Sequence, residues 1–272
     1  MHFQTPVSIS QPPFSIAPCE RMLFVGSCFA DRIGRRAQEE KFRAVVNPDG
    51  VMYNPASILH TVRRTEAVPR VAFFTLGTNH IYILKETGEI VDNCRKMPQR
   101  LFEERELSID ECVGYLSEAV QILQQRCSEV HVVVTVSPIR YAKYGFHGSA
   151  LSKAVLLLAA DALCKKYPDV VNYFPAYEIV LDELRDYRFY NPDMLHPSDQ
   201  AVEYIWERFS DTYLSPETHR FLQQWRPIKE ALAHRPFHPD SQEYQAFLSH
   251  IKEQARALSL QYPNLELPTF PL

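Results

Sequence analysis

Met22-Leu23-Phe24-Val25-Gly26-Ser27-Cys28-Phe29-Ala30-Asp31 is the stretch that decides the fold. An apolar run ends at a glycine, a serine follows at once, and helix-forming residues come next. A buried strand hands over to a helix through a tight turn in this way. In an open α/β sheet such a turn lies at the carboxyl ends of the strands, where ligands bind. A serine there presents its hydroxyl to the crevice, and its backbone N–H joins the positive end of the following helix. A nucleophile that also helps to stabilise an oxyanion needs both features. The plainer reading of the same Gly-Ser pair is a serine that caps a helix.

Far down the chain stands Tyr190-Asn191-Pro192-Asp193-Met194-Leu195-His196-Pro197-Ser198. Pro192 and Pro197 make this a loop entering a helix and exclude a mid-helix pair. A turn of this length folds the Asp193 carboxylate back onto the His196 imidazole. One ring nitrogen is then held protonated, and the other is free to take a proton from a hydroxyl. The alternative is a helix-terminal charge at Asp193 beside a surface histidine. Between the two segments, Val71 to Leu76 reads as a buried strand followed directly by Gly77-Thr78-Asn79-His80. An asparagine at such a strand end can aim its side-chain amide at a developing oxyanion. Asn47-Pro48-Asp49-Gly50 is a turn whose glycine lets a backbone N–H approach a ligand closely.

In the order Ser, Gly, Gly-x-Asn and Asp-x-x-His, the chain resembles the SGNH, or GDSL-like, hydrolase superfamily. Within it, Gly26-Ser27-Cys28-Phe29-Ala30 is similar to the signature of the GSCFA-domain family. So are the stretches from Asn47 to Pro55, Asn93-Cys94-Arg95-Lys96, Thr135-Val136-Ser137-Pro138-Ile139-Arg140 and Phe174-Pro175-Ala176-Tyr177-Glu178. The resemblance runs from about residue 20 to residue 235. It implies a three-layer α/β/α sandwich with a mainly parallel, flavodoxin-like sheet. By position it implies Ser27 as nucleophile, His196 with Asp193 as base pair, and Ser27, Gly50 and Asn79 as oxyanion-hole donors. Two departures stand out. Cys28 and Phe29 replace the usual Asp-Ser after the nucleophile's glycine, and His80 stands where aspartate commonly follows the asparagine. The implied activity is a serine-dependent acyl-ester hydrolase that needs no cofactor. Its substrate is a small acyl ester or an O-acylated carbohydrate. An O-acyltransferase on the same machinery and a non-catalytic glycan- or partner-binding module are the alternatives. Gly77, His80 and Arg140 are further candidates for substrate contact, set against ordinary loop or paired roles. Cys28 is read as a helix residue packed in the core.

Composition agrees with a globular α/β protein. The chain has 272 residues and is 46% hydrophobic, enough for a sizeable core. Its net charge of −4 gives no nucleic-acid footprint. No apolar run reads as a bilayer span, and Met1-His2-Phe3-Gln4-Thr5-Pro6 does not read as a secretory signal. Six cysteines without CxxC spacing suggest reduced thiols and a cytoplasmic protein. Neither HExxH nor paired CxxC occurs, so a metal site is not expected.

Further elements follow from periodicity. Ile81 to Leu84 reads as a hairpin arm, and Ser108-Ile109-Asp110-Glu111 as a capping box before an amphipathic helix. Val130 to Val136 is a strand buried on both faces. Leu151 to Ala162 marks a helix and Val170 to Phe174 a last strand. Val202, Ile205, Trp206 and Phe209 share one helix face. Strands alternating with helices imply right-handed crossovers in a parallel sheet. The expected organisation is a catalytic unit over residues 1–236 and a C-terminal helical extension over 237–272. A helix disturbed at Pro227 precedes that boundary. The extension packs on the body by default, with a lid or an oligomer contact as alternatives; the sequence gives no oligomeric state.

Overall fold

The computed structural model describes residues 4–92, 94, 97–234, 236–237 and 240–267. The chain opens with β1 (Arg21–Gly26), α1 (Cys28–Glu39), β2 (Arg43–Val46), α2 (Pro55–Arg64) and β3 (Val71–Leu76). A small antiparallel unit follows, made of β4 (His80–Leu84), β5 (Ile90–Val91) and β6 (Phe102–Glu106). Then come α3 (Ile109–Arg126), β7 (His131–Val136), α4 (Gly145–Lys166) and β8 (Val171–Tyr173). After the short α5 (Ala176–Glu178) the chain ends in α6 (Asp199–Tyr213), α7 (Pro216–Ala233) and α8 (Gln242–Gln261).

The main sheet has the order β2-β1-β3-β7-β8, and every pairing in it is parallel. Numbered along the sheet's own strands, this is the flavodoxin-like order 2-1-3-4-5. Strand alternation divides the core into two layers. Leu23, Val25, Phe74, Leu76, Val132 and Val134 face α2, α3 and α4. Met22, Phe24, Phe73 and Val133 face Phe29 and Ile33 of α1 and Ile205 and Phe209 of α6. The expected three-layer α/β fold is therefore the observed one.

Local chemistry marks the helix starts. Ser108 and Glu111 form a reciprocal capping box at α3. Asn54 caps α2 ahead of Pro55, a residue suited to the first helical position. Some strands lie outside the sequence reading. β2 was unassigned: it is a four-residue edge strand whose side chains are only partly covered. β6 carries the charged run Phe-Glu-Glu-Arg-Glu, and only Phe102 is buried. α7 contains Pro227 within a single helix, the position where the sequence reads a disturbance.

Phe221, Trp225 and Ile228 of α7 meet Ile251, Ala255 and Leu258 of α8 in a separate cluster that also takes in Cys19. The Trp225 indole N–H donates to the Glu39 carbonyl at 2.9 Å, which ties this cluster to the end of α1. α4 is long and apolar enough to cross a membrane by length and composition alone, a test that a core helix also passes. In this fold α4 packs against β7, β8 and α3.

Candidate active site

In a sheet of this order the chain runs outward from β1 to β2 and then returns to β3 on the other side. The crevice where the order reverses, at the carboxyl ends of β1 and β3, is the usual ligand site. Ser27 stands at that point. Gly26 pairs with Thr75 across the two strands and has φ +140. A Cβ at Gly26 would lie 2.2 Å from the Thr75 carbonyl oxygen, so only glycine allows β1 to approach β3 this closely. The Gly26 N–H donates to Asn47 Oδ1 at 2.9 Å. Asn47 is itself left-handed, with φ +40, and buried.

Ser27 is the N-cap of α1, and its Oγ accepts from the Phe29 N–H at 3.2 Å. The same Oγ is 3.0 Å from Thr75 Oγ1, and the residue is 0% exposed. The capping reading and the nucleophile reading thus share one side chain. Thr75 is the partner that sequence reasoning missed, because it comes from the strand register rather than from any local motif.

At the other edge, the loop before α6 forms the expected pair. The His196 Nδ1 lies 2.6 Å from Asp193 Oδ2, while Asp193 Oδ1 accepts the Leu195 and His196 N–H groups at 2.8 and 3.0 Å. These backbone bonds come first, with the imidazole after them, in holding the Asp193 carboxyl down at about 2. The loop is closed by Asn191 N–H donating to the His196 carbonyl, by Met194 with φ +57, and by a bridge between Tyr190 and Pro197. Arg32 of α1 donates to the Pro197 carbonyl and pairs with Asp199, so the His196 loop is fastened to the helix that Ser27 caps. The Arg140 N–H donates to the Leu195 carbonyl at 3.0 Å, which fastens the same loop to the segment after β7. No hydrogen bond joins His196 to Ser27. Among the described residues, His196 Nε2 has no hydrogen-bond partner.

Each of the three expected oxyanion donors holds a bond within the scaffold. The Ser27 N–H donates to Thr75, at 2.9 Å to Oγ1 and 3.1 Å to the carbonyl. The Gly50 N–H closes its own turn on the Asn47 carbonyl, and Gly50 is solvent-exposed. The Asn79 amide donates to the Leu107 carbonyl at 2.9 Å, joining β4 to the chain after β6. Buried polar atoms near the strand ends without a hydrogen-bond partner among the described residues include Asn47 Nδ2, Asn79 Oδ1 and the Tyr141 hydroxyl.

Other expected contacts resolve as follows. His80 is 8% exposed and stacks on Tyr144 at 3.7 Å, between Glu104 and Glu106. Burial lowers its pKa despite both carboxylates. It is packed, not presented. Gly77 carries the buried Lys153 Nζ on its carbonyl at 2.7 Å, and a Cβ there would lie 2.8 Å from the Tyr141 hydroxyl. Arg140 does line a cavity. Cys28 is half-buried with its Sγ 3.8 Å from the Tyr53 hydroxyl. Asn93, Arg95 and Lys96 lie outside the described residues. No group of three or more potential metal ligands occurs among the described residues.

Solved structures similar to this chain share low identity with it. One is a GDSL-like lipase from Bacteroides thetaiotaomicron, at 14% identity and TM-score 0.46, covering 75% of this chain and 90% of the other. Another is a carbohydrate esterase family 3 protein from Talaromyces cellulolyticus, at 11% and 0.41, covering 75% and 98%. A third is a variant of an acetyl-xylooligosaccharide esterase from Geobacillus Stearmophilus, at 12% and 0.44, covering 73% and 96%. No curated protein matches the sequence significantly. The GSCFA family model matches residues 21–70 and 67–209, and the model of the C-terminal domain of GSCFA proteins matches residues 225–268. Those matches span most of the chain, from β1 through α6 and again over α7 and α8, and the protein belongs to the GSCFA family.

Proposed function

We propose that this protein is a serine-dependent acyl-ester hydrolase acting through a Ser27 acyl-enzyme, with His196 as base and Asp193 as its orienting partner. The observation that carries the reading is the preformed His196–Asp193 pair. Its second ring nitrogen has no hydrogen-bond partner among the described residues, and its loop is fastened to the helix that Ser27 caps. Nucleophilic catalysis by serine needs a base held in one tautomer, and a carboxylate 2.6 Å from Nδ1 supplies that.

In this reading an ester enters at the ends of β1 and β3 and reaches Ser27, which is fully buried before it binds. Its carbonyl carbon is attacked by Ser27 Oγ, whose proton passes to His196 Nε2. The tetrahedral intermediate collapses with cleavage of the ester C–O bond, and the leaving alcohol takes the proton from His196. Water then attacks the acyl-serine with the same base, which releases the acid and returns the proton to Ser27. Negative charge develops beside the positive end of α1. The Ser27 and Gly50 N–H groups serve as oxyanion donors by exchanging their scaffold partners, whereas the Asn79 amide has a second N–H besides the one on Leu107. Breaking such a bond costs about 1 kcal/mol each when the new acceptor replaces the old one. The substrate is a short O-acyl ester, with an O-acylated sugar as the natural form.

Ser27→Ala tests the reading against 4-nitrophenyl acetate. Turnover falls to the uncatalysed background if Ser27 is the nucleophile. A variant that folds as the wild type and keeps its rate overturns the assignment.

A further inference from the structure

We infer that the cavity behind the His196 loop binds the carboxylate of an acidic sugar, so that the substrate is an O-acylated uronate or its oligomer. This rests on the esterase reading for the chemistry but not for the binding.

The cavity measures about 230 Å³, and its walls include Arg140, Arg185, Tyr187 and Tyr190 over a floor of Val180 and Leu181. Pockets for drug-sized ligands run to roughly 300–1,000 Å³, so this one suits a single ring rather than a long acyl chain. Its charge is unbalanced. Neither Arg140 nor Arg185 has a carboxylate partner among the described residues. Asp186, which also borders the space, is taken by Arg188 at 3.0 Å. Two guanidinium groups therefore share one cavity with no anion assigned to them.

Arg140 is also prepared in geometry. Its guanidinium lies 4.1 Å from the Phe146 ring centre and 5.7 Å from those of Tyr187 and Tyr190. One N–H is used on the Met194 carbonyl at 3.0 Å. A guanidinium has five N–H donors in one plane, so stacking on aromatic faces leaves its edge for a two-point contact with a carboxylate. Tyr187 is 66% and Phe146 56% exposed. Exposed rings beside unpaired arginines offer a sugar an apolar face to rest on while its charge is matched.

The cavity shares its wall with the proposed catalytic loop. Tyr190 bridges to Pro197, and Asn191, the next residue, donates to the His196 carbonyl at 2.8 Å. Arg140 reaches the same loop twice, at the Leu195 and Met194 carbonyls. A ring seated there rests against the loop that carries the base.

Isothermal titration of the intact wild-type chain with galacturonate, galactose and inorganic phosphate tests the inference without turnover. Galacturonate binds at least about tenfold tighter than galactose, Arg185→Gln removes that difference, and added salt weakens it, as an exposed ionic contact requires. Equal binding of the two sugars, or undiminished galacturonate binding in both Arg185→Gln and Arg140→Gln, overturns it. Phosphate binding tighter than galacturonate also overturns it, in favour of a phosphate site. A second arm compares kcat/KM for acetylated galacturonan and acetylated xylan fragments. The ratio favours the acidic substrate and collapses in Arg185→Gln. No turnover of any ester by the wild type would refute the esterase reading alone, leaving the binding result to stand or fall by itself.

Discussion

Lys153→Met bears on the floor of the proposed site. Lys153 is 2% exposed and belongs to α4. Its Nζ donates to the Gly77 carbonyl at 2.7 Å and the Ser137 carbonyl at 2.8 Å, and it lies 5.4 Å from the Tyr141 ring centre. Gly77 follows β3 and Ser137 follows β7, so the amine staples two adjacent strand ends at the crevice. Among the described residues no carboxylate accompanies it, and burial pushes its pKa from 10.5 down to about 7. At about 1.4 kcal/mol per pH unit, that difference corresponds to about 5 kcal/mol against the charged form.

The sign follows from linkage. Between about pH 7 and pH 10.5 the unfolded chain keeps a proton that the folded chain has lost, so stability rises with pH across that window. Below about pH 7 both states are protonated, and the full penalty remains without a slope. Methionine abolishes the titration but leaves two carbonyls without their donor, at about 1–2 kcal/mol each. At about pH 6.5 the variant therefore equals or exceeds the wild type in stability, and at about pH 10 it is less stable. The difference between the two chains moves by about 4 kcal/mol across that range. Urea unfolding followed by the fluorescence of buried Trp206 and Trp225 measures it. Titration of buried thiols such as Cys112 is common to both chains and cancels in the comparison. Parallel stability curves for the two chains refute a neutral, strand-stapling Lys153.

Asp193→Asn removes the charge that orients His196 and lowers kcat for 4-nitrophenyl acetate by about 10²–10⁴-fold, with KM little changed. Because its own hydrogen bonds hold the Asp193 carboxyl at about 2, activity lost on mild acidification does not come from Asp193 in the wild type. Gly26→Ala brings a Cβ to 2.2 Å from the Thr75 carbonyl at a left-handed φ, and destabilises by more than about 3 kcal/mol in thermal unfolding. A Gly26→Ala chain with wild-type Tm contradicts the close approach of β1 to β3.

Much of this architecture was legible because its signals are local. The apolar run from Met22, the glycine and the capping serine mark β1 and the start of α1 within ten residues. The proline-bracketed loop likewise contains both members of the Asp193–His196 pair, three residues apart. Elements whose stability comes from non-local pairing were silent. β2 has four partly covered residues at an edge, and β6 is held by its register against β4 despite its charged sequence. The misread side chains have the same cause. The partner of Asn79 is a carbonyl 28 residues on, and that of Ser27 lies 48 residues away in β3. Neither is marked by a motif. Lys153 did carry a signal, a single cation within the apolar run Ala150–Ala160, but only the packing of α4 on the sheet shows what it holds.

Whether the Ser27 hydroxyl reacts when the His196–Asp193 pair is intact is read most directly by mass spectrometry of the chain after a fluorophosphonate. The account predicts one adduct, on the peptide carrying Ser27, that forms at least about a hundredfold more slowly in His196→Ala. An adduct on any other residue, or undiminished labelling without the imidazole, contradicts it.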